Sequence, residues 1–203
     1  MEFLPENVYH VFNQGNNREV IFRQREDYLI FLRLIRKLIL PQCELVAYCL
    51  MPNHFHFIIY TDERVEQLAK QGGLLLDPVT NGLRKLLSGY ARIFNKKYNR
   101  TGSLFRQKTK AKLLTEDSIV VTTTGGQIDY CAHCFIYVHQ NPWKAGLVTR
   151  LEDWEYSSFR DFAGLRNGTL CNKQIAARDC SYDPVRFRNA CTKEMTIDFD
   201  DYF

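Results

Sequence analysis

The stretch Met51-Pro52-Asn53-His54-Phe55-His56-Phe57-Ile58-Ile59-Tyr60 decides how the rest of the chain is read. Pro52 and Asn53 are turn chemistry. Glu44–Leu50 before them reads as a strand, and His54–Thr61 after them, rich in β-branched and aromatic residues, as another, so the three segments together predict a hairpin. Side chains alternate faces along a strand, so Phe55, Phe57 and Ile59 share one face and His54 and His56 the other. The two imidazoles then stand roughly 7 Å apart along the strand. Many such pairs bind nothing. Here the strongly apolar opposite face sets the histidines apart, and two imidazoles at this spacing can converge on a divalent ion while leaving its other positions open to substrate.

Working outward, Val8–Asn13 reads as a first strand. Tyr28, Phe31, Leu32, Ile35, Leu38 and Ile39 recur at helical spacing until Pro41 ends the run. Residues 63–79, with Gly72, Gly73 and Pro78, read as a loop. A second helix begins near Thr80 or Asn81, carries Leu83, Leu86, Leu87, Tyr90 and Phe94 on one stripe, and stops at Asn99–Gly102. Leu104–Leu114 reads as a strand. The Thr-rich stretch within residues 116–126 fits no pattern and obscures the start of a third helix, Gln127–Asn141, which Pro142 is expected to end. The tail holds Trp154, Tyr156, Phe159 and Phe162, then turns polar and irregular.

The element order is β-α-β-β-α-β-α, an α+β class. Its first six elements match the split βαβ, ferredoxin-like antiparallel sheet with helices on one face. The third helix and the tail follow. The expected organisation is a domain over residues 1–150 with a C-terminal extension, 151–203, packed on it.

With 203 residues, 45% hydrophobic and 25% charged, the chain can bury a core without disulfides. Seven irregularly spaced cysteines, no stretch resembling a signal peptide and no apolar run long enough for a bilayer lead us to expect a reduced, cytoplasmic protein. Cys131-Ala132-His133-Cys134 has half of a zinc pattern but no second pair at suitable spacing.

The net charge of +4 says little, but its distribution says more. Ten cations and no carboxylate fall between Arg84 and Lys112. They are Arg84, Lys85, Arg92, Lys96, Lys97, Arg100, Arg106, Lys108, Lys110 and Lys112. Arg84, Arg92 and Lys96 share a helical face, and Arg106, Lys108, Lys110 and Lys112 a strand face. Solvated surfaces usually mix signs, so the run points to nucleic acid. Tyr98 and Phe105 lie within it, where they can stack on bases.

On the third helix Ile128, Cys131, Phe135 and Val138 make the apolar stripe, and Tyr137 and Asn141 share a face one turn apart. Taken alone, these two read most simply as a boundary aromatic and a helix cap ahead of proline.

Four segments in order resemble the HUH single-tyrosine transposases, and within them the branch associated with repetitive extragenic palindromes. They are Met51–His56, the segment around Asn99-Arg100-Thr101-Gly102-Ser103-Leu104-Phe105, the run Tyr137-Val138-His139-Gln140-Asn141-Pro142-Trp143-Lys144-Ala145-Gly146, and Asp153-Trp154-Glu155-Tyr156-Ser157-Ser158-Phe159. The resemblance spans about Val8 to Cys171. It implies that His54 and His56 hold a divalent metal, Mg²⁺ or Mn²⁺, with Asn141 as third ligand, and that Tyr137 is the nucleophile. It also implies a single-stranded DNA endonuclease and strand transferase that forms a 5′-phosphotyrosine and takes hairpin DNA, nucleoid-associated when bound. The alternative is a hairpin-DNA-binding protein that has lost catalysis. Tyr130 and Tyr60 are the rival tyrosines, but Tyr60 lies about 13 Å beyond His56 along the strand.

Overall fold

Strand β1 (Asn7–Gln14) sits inside a four-stranded sheet, paired antiparallel to β3 (His54–Thr61) on one side and to β6 (Lys110–Leu113) on the other. β2 (Glu44–Met51) completes the order β2-β3-β1-β6, antiparallel throughout. β1 and β2 are thus parallel with β3 inserted between them, which is the split βαβ arrangement the element order predicts. The structure, a computed structural model, describes residues 2–115, 119–121 and 127–193.

α1 (Arg25–Leu38) links β1 to β2, and α2 (Pro78–Lys97) links β3 to β6. A short hairpin of β4 (Ala69–Gln71) and β5 (Leu74–Leu76) occupies the predicted 63–79 loop. β7 (Ile119–Val121) and β8 (Gln127–Asp129) pair just before α3 (Tyr130–Lys144). Residues 122–126, part of the stretch that fitted no pattern, lie outside the described residues.

α1 and α2 cover one face of the sheet, packing Phe31, Ile35, Leu86 and Tyr90 on Val11, Leu45, Phe55 and Phe57. Helix α1 is nucleated by a reciprocal capping box between Gln24 and Asp27. Asp77 caps α2 by accepting from the Thr80 N–H, with Pro78 in the first turn. The two helices cross where α2 has no side chain: a Cβ on Gly82 would lie 2.6 Å from the Leu38 carbonyl oxygen.

α3 takes the opposite face, against Val8, Val46, Ala47, Cys49, Met51 and Ile58. A bulge between Leu45 and Ala47 lets Val46 and Ala47 both point there. The short helices α4 (Phe159–Phe162), α5 (Lys173–Asp179) and α6 (Phe187–Cys191) close this second core with Phe159, Phe162, Ala176 and Phe187. The tail is therefore more regular than its sequence suggests, because helices of a turn or two show no periodicity to read. Part of it also covers the free edge of β2: Leu50 N–H donates to Tyr156 O, Ser158 N–H to Tyr48 O, and Asn172 N–H to Leu45 O. An exposed edge would invite pairing with another chain.

Several boundaries differ from expectation; α2 begins at Pro78 rather than near Thr80 or Asn81. The predicted strand Leu104–Leu114 is regular only over Lys110–Leu113, because Leu104 and Phe105 turn into the first core and residues 104–106 bond back to Asn16 and Gln14. Helix α3 starts at Tyr130, capped by Asp129, and runs through Pro142 to Lys144. Pro142, which has no N–H to donate to the carbonyl one turn back, stands in the last turn. Gly146, at φ 67°, ends the helix with a Schellman pair, Gly146 N–H to Trp143 O and Leu147 N–H to Pro142 O.

Asp27 ties the start of α1 to the end of α2. Its carboxylate, 2% exposed, accepts from Lys97 Nζ and Tyr98 Oη at 2.7 Å and from the Arg23 and Gln24 N–H groups. Burial opposes its ionisation, but these bonds outweigh burial and hold its pKa below the ordinary carboxylate value. A depressed pKa stabilises the fold above the unfolded-chain value, near 4, and that contribution is lost as pH falls through the lower folded value. Asp27→Asn is expected to cost about 2 kcal/mol at pH 7 in urea unfolding. The deficit should shrink at pH 3; an unchanged deficit would mean that the charge is not what holds the two helices.

Candidate functional site

The second face of the sheet carries the histidines. The β1–β3 register sets Phe12 opposite His56 and Gln14 opposite His54, and β2 presents Cys49 and Met51 on the other side. His54 and His56 stand with ring centroids 5.0 Å apart and planes perpendicular. Asn53 fixes His54 through an Nδ1···Oδ1 contact of 2.6 Å. His56 is fully buried, and its Nδ1 meets His10 Nε2 at 2.9 Å.

Helix α3 brings the tyrosine to this pair. The Tyr137 ring lies edge-on to His56, 5.5 Å between centroids, and to His10 at 6.3 Å. One turn on, Asn141 donates from Nδ2 to the Tyr137 carbonyl at 2.8 Å, and its side chain lies near enough to His54 and His56 to oppose the lowering of their pKa values. Asn141 is thus inside the helix and turned into the site, not a terminal cap. Tyr137 is only 1% exposed, so a phosphodiester reaches its phenol only after local uncovering. Lys144 Nζ lies 5.8 Å from the Tyr137 ring centroid.

Burial keeps the three histidines neutral. It pushes His54 down to about 4, against the opposing Asn141 bond. It pushes His56 well below its ordinary value, helped by His54 and His10. His10 falls to about 3, through burial and then the Lys112 cation. A neutral imidazole offers a lone pair, which a ligand requires. Among the described residues no three His, Cys, Asp or Glu side chains gather as a metal group. The donor set here is two imidazoles and one amide oxygen, which fits a hexacoordinate cation that keeps open positions.

The remaining histidines serve elsewhere. His139 bonds Phe135 O through Nδ1 and Ser158 Oγ through Nε2, pinning α3 to the Trp154–Phe159 segment. His133 turns back to Asp129 O. Cys131 and Cys134 are buried in the second core. Of the rival tyrosines, Tyr130 lies under Lys112, 4.4 Å from Nζ to ring centroid, and Tyr60 under Arg178 at 4.6 Å.

The ten cations do not form one surface. Arg84, Lys85, Arg92 and Lys96 lie on the outer side of α2, behind the sheet from the histidines. Lys97 is engaged by Asp27, and Arg100 by Glu19, Asn95 and Ser103 O. Arg106 and Lys108 precede β6 rather than sharing its face. Only Lys110 and Lys112 stand on the histidine face, Lys112 opposite His10 and Lys110 opposite Phe12. The sequence gives His10 and Lys144 no role, and long-range pairing and helix packing bring them to the site.

A search of protein-family models matches none. A curated protein of Haemophilus influenzae named "Putative REP-associated tyrosine transposase" is 30% identical over 119 residues, a match covering 57% of this chain and 58% of the relative's length. A solved structure, described as that of a REP-associated tyrosine transposase bound to a REP hairpin, matches with a TM-score of 0.54 at 18% identity, over 85% of this chain and 92% of that one. The α+β fold with an antiparallel sheet is common to both structures, and the resemblance drawn from the motifs is borne out by the curated relative. Among the described residues no helix is long and apolar enough to cross a membrane.

Proposed function

We propose that the chain is a metal-dependent, single-stranded DNA endonuclease and strand transferase of the transposase kind, with Tyr137 as nucleophile and hairpin DNA as substrate. One observation carries this reading: Tyr137 and Asn141, on α3, converge on the His54–His56 pair of β3, the Tyr137 ring edge-on to His56 and the Asn141 side chain near both imidazoles. The names of the similar proteins support the same direction.

In this reading Tyr137 Oη attacks phosphorus as it gives up its proton. The P–O3′ bond breaks, the leaving oxygen takes a proton, and the 5′ phosphate stays on tyrosine. A phenol with a pKa near 10 is a poor nucleophile when neutral, so attack and proton loss must be coupled. His54, His56 and Asn141 would hold Mg²⁺ or Mn²⁺, which supplies charge stabilisation on the phosphate oxygens. The phosphotyrosine conserves the ester, so a second 3′-hydroxyl can displace the tyrosine and join strands without ATP.

The burial of Tyr137 favours one alternative, a hairpin-DNA-binding protein without catalysis. Incubation of the full chain with a hairpin-containing single-stranded oligonucleotide and Mn²⁺, followed by boiling in detergent, separates the two. A gel-shifted adduct on DNA, absent with the RNA version, is expected. Binding without any adduct in Mg²⁺ or Mn²⁺ would leave the silent binder.

The DNA surface has its own test. Replacing Lys108, Lys110 and Lys112 by Ala is expected to weaken binding and to flatten the log affinity against log salt slope by about 0.7 per lost contact. An unchanged slope would remove this strand from the interface.

A further inference from the structure

His10 belongs to no motif in the sequence, yet the register of β1 against β3 places it beside His56 on the histidine face. It is 4% exposed, its ring lies nearly parallel to that of His56, 5.1 Å between centroids and 16° between planes, and its Nε2 meets His56 Nδ1 at 2.9 Å. A hydrogen bond between two neutral imidazoles places one proton between the paired nitrogens, and its owner sets the tautomer of both rings. If His10 Nε2 donated, His56 would carry its own proton on Nε2, the nitrogen left for the site. If His56 Nδ1 donates, that Nε2 keeps a lone pair. We propose that His10 is a positioning residue: it accepts the His56 Nδ1 proton and so holds the His56 Nε2 lone pair towards the site shared with His54 and Asn141.

The inference rests on the metal reading above for its consequence but not for its test. Ligating histidines are commonly oriented by an acceptor on their second nitrogen, which fixes the tautomer and raises basicity. The acceptor here is itself an imidazole, stacked on Phe12 at 4.8 Å and edge to edge with His56. A glutamine in its place keeps a carbonyl oxygen near the position of Nε2; a phenylalanine keeps the ring and removes the acceptor.

Nitrogen-15 NMR of histidine-labelled, metal-free full-length chain reads the tautomer directly. His56 is expected to be protonated on Nδ1 in the wild type and in His10→Gln, and to lose that preference in His10→Phe. Calorimetric titration with Mn²⁺ then reads the consequence: affinity falls about 10- to 100-fold in His10→Phe and stays within about threefold in His10→Gln. His56 protonated on Nε2 in the wild type, or His10→Phe binding Mn²⁺ as the wild type does, overturns the proposal. Should His10→Phe fail to fold by circular dichroism, the wild-type tautomer and the Gln variant still decide it. A wild type with the expected tautomer that binds no Mn²⁺ would remove the metal reading and leave the role of His10 standing.

Discussion

Tyr137→Phe is expected to fold normally, to bind hairpin DNA as the wild type does, and to form no covalent adduct. The phenyl ring keeps the edge-on packing against His56 and His10, so the cost to stability is that of one hydroxyl, about 1 kcal/mol. The loss in strand cleavage should be on the order of 10⁴-fold or more, because removing a nucleophile leaves only binding and electrostatic contributions. Equal affinity in a gel shift, with no detergent-stable band, is the expected pair of results. An undiminished adduct in the Phe variant would contradict the assignment.

The second large effect is at the histidines. His54→Ala with His56→Ala is expected to reduce cleavage by at least about 10³-fold, equivalent to several kcal/mol of charge stabilisation at phosphate. DNA affinity should change little, because phosphate contacts come from the cations and not from the imidazoles. His56 is fully buried, so each single variant is also checked for thermal unfolding; His54, partly exposed at the end of its strand, tolerates replacement best. Cleavage by the double variant in the presence of chelator would exclude the metal role.

The hairpin and both core helices are legible because their signals are local. Pro52 and Asn53 mark the turn, alternation separates Phe55 and Phe57 from His54 and His56, and the stripe of α2 recurs from Leu83 to Phe94. What the sequence hid depends on partners far along the chain. His10 joins the site only because β1 pairs with β3 in one register. Asn141 reads as a cap before proline, yet the Schellman close at Gly146 carries the helix one turn further and turns the amide inward. The run of cations reads as one surface because charge is counted along the chain; α2 packs on one face of the sheet while Lys110 and Lys112 of β6 stand on the other, and Asp27 and Glu19 engage two of the ten. The extension helices α5 and α6, of seven and five residues, are too short for a periodic signal.

The most direct test of the account is the site of covalent attachment. Wild-type protein is trapped on a single-stranded hairpin oligonucleotide in Mn²⁺, digested with protease and nuclease, and mapped by mass spectrometry. One nucleotide-bearing peptide is expected, with the phosphodiester on Tyr137. The same modification on Tyr130 or Tyr60 would contradict it.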